Sequence, residues 1–367
     1  MIMTLRSTLT SSFRDCIRVL VLGTGQMGAG IARLVLQKPG LELVGAYGRR
    51  AERAGMDLGQ AIGLDHNLGI PISNELGPVV EQAKPCVAIQ ATCSHLTDAA
   101  PEIALLVRQR VPVISIAEEM AYPACVSPAL VADLQQLAIA YQVAVLGTGI
   151  NPGFVLDLLV LTLTGVCTDI RSITATRIND LSPYGPSVLR SQGIGLTPEA
   201  FRTGVQTGSV VGHVGFPQSI SMIARALGWE IDRIEETREP IVSAIRRETP
   251  FVTVEPGQVA GCAHSAVAYR HGMPVITLIH PQQIHPQHAG IETGDSIEIL
   301  GTPTIKISGS PEIPGGQGTV ALAVNMIPHV LNAEPGLYNM ADVPVPVAIL
   351  GDARARLRAP LGEGHHG

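Results

Sequence analysis

Residues 17–28 read IRVLVLGTGQMG, and the fold turns on how this stretch is understood. Ile17–Leu22 is a short apolar run that stops at a glycine, and Gln26–Gln37 carries apolar residues at helical spacing. A buried strand, a tight turn and a helix are the elements this pattern predicts. The turn, Gly23-Thr24-Gly25-Gln26-Met27-Gly28, is a GxGxxG sequence, a weak signal in isolation and a stronger one between a strand and a helix. Gly23 permits the turn, Gly25 lets backbone N–H groups approach a pyrophosphate, and Gly28 allows the helix to pack closely on the strand. The helix N-terminus adds free donors and a favourable dipole. A dinucleotide is the ligand such a loop fits.

Working outward, Leu41–Tyr47, Cys86–Ala91, Val111–Ala117 and Ala144–Leu146 read as further strands, with a helix at Pro128–Tyr141. Strand–helix alternation implies right-handed crossovers and a parallel, doubly wound α/β sheet of the Rossmann type. The pattern changes after Asn151-Pro152-Gly153. A helix is expected over Phe154–Leu163. Strand-like stretches follow at Ile170–Ile178, Phe251–Val254, Gln258–Arg270, Val275–His280, Ser296–Leu300 and Thr304–Ser308. Turn residues at Arg270-His271-Gly272-Met273 and Gly301-Thr302-Pro303 make these hairpins, hence a second α+β domain with a mostly antiparallel sheet. Gly318–Leu331 returns to helical spacing. The expected division is a nucleotide domain over 15–150, joined by 318–367, and a substrate-binding and dimerisation domain over 151–317.

Composition narrows the function. The 367 residues are 46% hydrophobic but only 3% aromatic and 15% charged, so the cores are built from aliphatic side chains, as buried parallel strands require. A net charge of −6 without any basic run argues against a nucleic-acid partner. No apolar run reaches the roughly 18–20 residues of a membrane span; the richest, Phe154–Val166, contains Asp157. Met1–Arg14 lacks the apolar centre of a secretory signal and reads as a disordered extension, and His365-His366 as a loose tail. Six scattered cysteines without a CxxC suit reduced thiols in a cytoplasmic protein.

The chemistry is expected at the carboxyl ends of the strands, where open α/β sheets bind ligands. The second strand ends in Gly48-Arg49-Arg50, with no acid before Glu52. A carboxylate there would bind the ribose diol of NAD, whereas two guanidiniums suit the 2′-phosphate of NADP. NADP is the expected cofactor, NAD remaining possible. Ala91, Thr92 and Ser94 follow the third strand and would border the nicotinamide ribose; His95 beside them reads better as a helix-start residue. Glu118 and Glu119 follow the fourth strand. Adjacent side chains on an extended segment diverge, so one acid is expected in the cleft as a general base and the other as a cap or ion-pair partner. Asn151, in Gly147–Gly153, could bond the nicotinamide amide or simply build a turn. His280, His285 and His288 lack the spacing of a helical metal site, and no metal is expected.

Several segments together resemble the 2,4-diaminopentanoate dehydrogenases and related native amine dehydrogenases. They are VLGTGQMGAGIARLVL, VISIAEEMAYP, GTGINPGFVLDLL, SPYGPSVLRSQGIG, VEPGQVAG and GSPEIPGGQGTVALAVNMIPHVLNAEPGLYNMADVP, spread from Ile17 to about Pro346. The N-terminal domain also resembles that of dihydrodipicolinate reductase, without that enzyme's His-His-x-x-Lys motif. The resemblance implies NAD(P)H-dependent reductive amination of a ketone with ammonia, or its reverse. It implies a catalytic glutamate within Ala117-Glu118-Glu119-Met120, with Glu118 slightly favoured. Met120, Tyr122, Asn179, Tyr184 and Gln192 are its candidate pocket residues, and Arg177 or Arg190 would meet a substrate carboxylate. A homodimer is expected. Two alternatives stay open: an ammonia-independent ketone or semialdehyde reductase, and a non-catalytic NADP-binding protein.

Overall fold

The computed structural model describes residues 16–358, so the N-terminal extension and the terminal histidines lie outside the described residues. The chain forms two compact units, one running to Ile150 and resuming at Gly315, the other spanning Asn151–Pro314.

The first unit is built on a parallel sheet. Its strands are β1 (Ile17–Leu22), β2 (Leu41–Tyr47), β3 (Ile72–Ser73), β4 (Val87–Gln90), β5 (Val113–Ser115), β6 (Ala144–Gly147) and a final strand at Gly336–Tyr338. Their spatial order is final strand–β6–β5–β4–β1–β2–β3, and every pairing is parallel. The order reverses between β1 and β4, which places a topological switch point at Gly23 and Ala91. Val19, Leu20, Val87, Ala88, Ile89, Val113 and Val145 are fully buried, as expected of strands covered on both faces. The helices are α1 (Gln26–Gln37), α2 (Leu58–Ala61), α3 (Leu76–Ala83), α4 (Leu96–Arg108) and α5 (Pro128–Tyr141). Leu96, Ala99, Ile103, Leu106 and Val107 of α4 and Leu134 and Ala138 of α5 close one core. The expected Gly318–Leu331 helix is two helices, Gly315–Asn325 and Ile327–Asn332. Pro328, at the start of the second, cannot donate a backbone N–H to the first. Gly30 lets α1 meet this pair closely: a Cβ there would lie 2.8 Å from a Val320 methyl.

The second unit holds a six-stranded sheet. Its strands are β7 (Asp169–Asp180), β8 (Arg233–Val242), β11 (Val259–Arg270), β12 (Met273–Gln283), β13 (Gly294–Thr302) and β14 (Ile305–Gly309), in the order β14–β13–β7–β12–β11–β8; β9 (Arg247–Glu248) and β10 (Thr253–Val254) form a separate hairpin. All pairs are antiparallel except β7–β12, which is parallel. The sheet is therefore mixed, mostly antiparallel. The β11–β12 hairpin turns through His271 and Gly272, both at positive φ, the geometry of a tight two-residue connection. The expected helix at Phe154–Leu163 starts later, at Leu158, where the Asp157 carboxylate accepts from the Leu158 N–H.

Alternation along the long strands separates two faces. Arg177, Asn179, His264, His280 and Gln282 are buried on one face; Thr174, Thr176, Ser265, Thr277 and Ile279 are half-buried on the other. No helix among the described residues is long and apolar enough to cross a membrane.

Candidate active site

The glycine loop has the shape its sequence implies. Gly23 adopts φ 103°, and a side chain on it would strike the Ala91 carbonyl, so the loops after β1 and β4 touch at the switch point. A Cβ on Gly28 would fall on the Gly23 carbonyl, whereas one on Gly25 would meet nothing within 4 Å. Gly25 caps α1 without a side-chain acceptor, and the first turn of α1 has no acid. Free N–H groups beside open space are an anion cradle, and a dinucleotide pyrophosphate fits them. Thr24 is nearly buried, while Gln26 and Met27 occupy the first turn of α1.

Beneath this loop runs a polar network that ties three strand ends together. Glu102, buried on α4, accepts hydrogen bonds from Arg49 Nε (2.7 Å), Gln90 Nε2 (2.7 Å) and Thr92 Oγ1 (2.5 Å). Gln90 Oε1 in turn accepts from Ser115 Oγ (2.7 Å), whose oxygen accepts from the Ala117 N–H. Arg49 also donates from Nη2 to the Asp98 carbonyl (2.7 Å), so the side-on edge of its guanidinium is spent inside the protein. Bonding to Glu102 raises the Arg49 pKa further. Arg50 is exposed. Arg53, absent from the sequence-based candidates, donates from Nη1 to the Thr24 carbonyl (2.6 Å) and approaches Thr24 Oγ1 (3.3 Å). It reaches the loop because Ala51–Arg53 form one 3₁₀ turn after β2.

The two adjacent acids part company. Glu119 accepts from the Leu96 N–H (2.7 Å), which otherwise has no partner at the start of α4, and pairs with His95 Nδ1 (3.0 Å), raising the histidine's pKa. It is a helix cap. Glu118 is half-buried, has no arginine or lysine ion pair among the described residues, and is bonded by the Ser94 hydroxyl; desolvation pushes its carboxyl above the ordinary range. The Ala117–Met120 turn packs where Gly147 leaves room, since a side chain on Gly147 would strike the Met120 carbonyl. Met120 is fully buried and packs in the core of the first unit. Tyr122 is half-buried, its carbonyl accepting from Cys125. Thr148, just past β6, keeps a buried hydroxyl without a hydrogen bond among the described residues, and sequence reasoning passed over it.

The second unit gathers polar groups on its buried sheet face. His213 donates its backbone N–H to His264 Nδ1 (2.9 Å), and its ring lies 5.0 Å from His280 and 4.9 Å from Phe216; Phe216 in turn lies 4.7 Å from His264. Gln192 donates to the Gly212 carbonyl (2.8 Å), and Tyr184 bonds Asn179, which sits opposite Gln282 in register. Burial holds His213 well below its ordinary pKa and His280 down to about 3, so both rings stay neutral. Buried atoms without a partner among the described residues include Asn151 Oδ1 and Nδ2, Asn179 Oδ1, Gln192 Oε1, His213 Nε2, Gln218 Oε1 and Gln282 Nε2. Buried polar atoms rarely go unpaired, so such a set marks a place for a polar ligand or water. Arg177 lies on this face, its Nη1 on Asp295 (2.8 Å); Arg190 is exposed on its helix. His285 bonds the Glu248 carbonyl and stacks on His288. His264, His280 and Gln282 were visible in sequence only as alternate positions on strands, and His213 and Gln218 sit on a loop and a helix outside any motif, so reading for motifs misses them.

A doubly wound sheet with a glycine cradle at its switch point, joined to a second α+β unit, defines the class of NAD(P)-type dehydrogenases. Residues 154–359 match the 2,4-diaminopentanoate dehydrogenase C-terminal domain, and residues 17–115 match the dihydrodipicolinate reductase N-terminus. The chain is 44% identical to 2,4-diaminopentanoate dehydrogenase of Acetoanaerobium sticklandii, over 92% of this chain and 96% of that protein. It is 29% identical to an amine dehydrogenase of Streptomyces virginiae, over 91% and 98%. The solved amine dehydrogenase of Mycobacterium smegmatis superposes with a TM-score of 0.81 at 25% identity, covering 91% and 98%. The protein belongs to the 2,4-diaminopentanoate dehydrogenase family and is an oxidoreductase of that kind.

Proposed function

We propose that the protein is an NADP-preferring amine dehydrogenase that interconverts a ketone plus ammonia with the primary amine, using Glu118 as its acid and base. The observation that carries this reading is the separation of the two acids: Glu119 is consumed as a cap, while Glu118 is left half-buried with a raised pKa. A nicotinamide coenzyme, when bound, supplies or accepts the hydride. Gly23, Thr24, Gly25, Gln26, Met27 and Gly28 would hold its pyrophosphate, and Ala91, Thr92 and Ser94 its ribose. Asn151, with donor and acceptor both unpartnered, complements a carboxamide.

Glu118 takes a proton from ammonium, and the ammonia so freed adds to the ketone carbonyl, its surplus proton passing from nitrogen to oxygen to give a neutral carbinolamine. Glu118 then returns its proton to the hydroxyl, which departs as water and leaves a substrate iminium facing a carboxylate. Opposite charges in a poorly solvated site attract strongly, which lowers the barrier to that cation. A raised pKa suits both tasks, because general acid–base catalysis is most effective with a pKa near the working pH. A neutral reductase site would have no use for an anion here.

Asn179, Tyr184 and Gln192 are assigned to substrate, with His213 and His280 beside them. Arg177 and Arg238 are cations on that face, each paired with a carboxylate, and a substrate bearing a carboxylate, such as a 2,4-diamino acid, is proposed on the likeness to the family. The half-exposed opposite face of the sheet suits a second copy, so a homodimer is proposed; a monomer-sized species at micromolar concentration would rule it out. Six cysteines scattered along the sequence without a CxxC fit a cytoplasmic setting. The direct test follows NADPH and NADH oxidation with a panel of ketones, with and without excess ammonium. Oxidation that requires ammonium supports the proposal, and oxidation indifferent to it refutes it.

A further inference from the structure

An NADP site needs a fixed cation near the adenosine ribose, and three arginines, Arg49, Arg50 and Arg53, follow closely after β2. They are not equivalent. Arg49 has Nε on Glu102 and Nη2 on the Asp98 carbonyl, the two nitrogens that together make a guanidinium's side-on fork. Its charge is met by a buried carboxylate that also anchors Gln90 and Thr92. Turning Arg49 toward a phosphate would strand Glu102 without its cation, a costly exchange. Arg50 is exposed, and no hydrogen bond fixes it among the described residues.

Arg53 differs from both. Its Nη1 is seated on Thr24, inside the glycine loop itself, while Nε and Nη2 make no hydrogen bond among the described residues. The guanidinium is therefore held at the loop with its side-on fork unspent. A pre-positioned fork loses less side-chain freedom on binding phosphate than a free one. The strand end is also without a competing acid: Gly48 occupies the place of a ribose-binding carboxylate, and a side chain there would already touch Ile72 and Thr24 at 3.4 Å.

We propose that Arg53, seated on Thr24, is the residue that selects a 2′-phosphorylated dinucleotide, and that Arg49 is an internal strut locked by Glu102. This rests on the NADP reading above.

The test titrates the full-length protein by calorimetry with adenosine 2′,5′-bisphosphate and with 5′-AMP, which differ only in the 2′-phosphate. The parent is expected to prefer the bisphosphate. Arg53→Ala should weaken the bisphosphate about 10- to 100-fold, the effect of one or two charge-assisted hydrogen bonds, and leave 5′-AMP within about twofold. Arg53→Lys should restore part of the loss. Arg49→Met should keep the preference while lowering the melting temperature. Loss of preference in Arg49→Met but not in Arg53→Ala overturns the proposal and leaves the NADP reading intact. Equal weakening of both ligands by Arg53→Ala also overturns it, since Arg53 would then only brace the loop. A parent protein without any preference overturns the NADP reading and the proposal with it.

Discussion

Replacing the two adjacent acids one at a time should separate a catalytic group from a structural one. Glu118→Gln keeps the shape and the Ser94 bond but removes the charge and the proton. General acid–base groups contribute roughly 100- to 10,000-fold, so kcat for ketone and ammonium should fall by about that range, with NADPH binding unchanged. The fold should not suffer. Desolvation holds the folded Glu118 carboxyl above its ordinary value of 4.5, so its ionisation opposes folding. That penalty is absent below pH 4.5, grows as the pH rises through the raised value, and is fully present above it. Glu118→Gln should therefore melt higher than the parent at pH 8 and no higher at pH 4. Glu119→Ala should behave the other way. It deletes the acceptor for the Leu96 N–H, worth about 1 kcal/mol as a helix cap. It also deletes a half-exposed pair with His95, worth up to about 1 kcal/mol. Together these lower the melting temperature by roughly 2–8 °C at 2–4 °C per kcal/mol, with turnover within about tenfold of the parent. Steady-state kinetics, coenzyme fluorescence titration and thermal melts on the two variants decide the matter. Turnover surviving in Glu118→Gln, or vanishing in Glu119→Ala without loss of stability, would refute the assignment.

Other expectations follow from the same geometry. Gly25→Ala has room in the protein itself, so it should melt like the parent but bind dinucleotide at least about tenfold more weakly; unaltered binding would show that the pyrophosphate does not occupy that space. Gly28→Ala, whose methyl would collide with the Gly23 backbone, should lose both stability and binding, and a normal melt would contradict the close helix–strand approach. Glu102→Gln should cost about 1–3 kcal/mol in urea denaturation, because Arg49 loses its charged partner. On acidification from pH 6.5 towards 3 the unfolded chain takes up a proton that folded His280 refuses, so stability should fall across that window. Urea midpoints at pH 7 and pH 4.5 should differ less in a His213→Asn, His280→Asn double variant, and an equal difference would count against the buried neutral histidines.

Much of the first unit was legible in the sequence because its signals are local. Ile17–Leu22, Gln26–Gln37, Leu41–Tyr47 and Pro128–Tyr141 were delimited by glycine, proline and hydrophobic spacing alone. What escaped depends on partners distant in sequence. Glu118 and Glu119 look alike until α4 presents the Leu96 N–H and His95 to one of them. Arg49 reads as a phosphate ligand until Glu102, 53 residues on, claims it. The strand Arg233–Val242 went unnoticed because it lies at an edge, where charged residues alternate with half-buried ones and no apolar run forms. The parallel β7–β12 pair joins segments about a hundred residues apart and leaves no mark on local turn chemistry.

The return of the chain to its first unit also bears on synthesis. Strand β6 pairs on one side with β5 but on the other with Gly336–Tyr338, and α1 packs against Val320. A nascent chain that has extruded everything up to residue 314 has made the whole inserted unit while β6 is still an unpaired edge. The nucleotide-binding unit begins first on the ribosome and is completed last, and until its last strand arrives that open edge is the place where two unfinished chains would join.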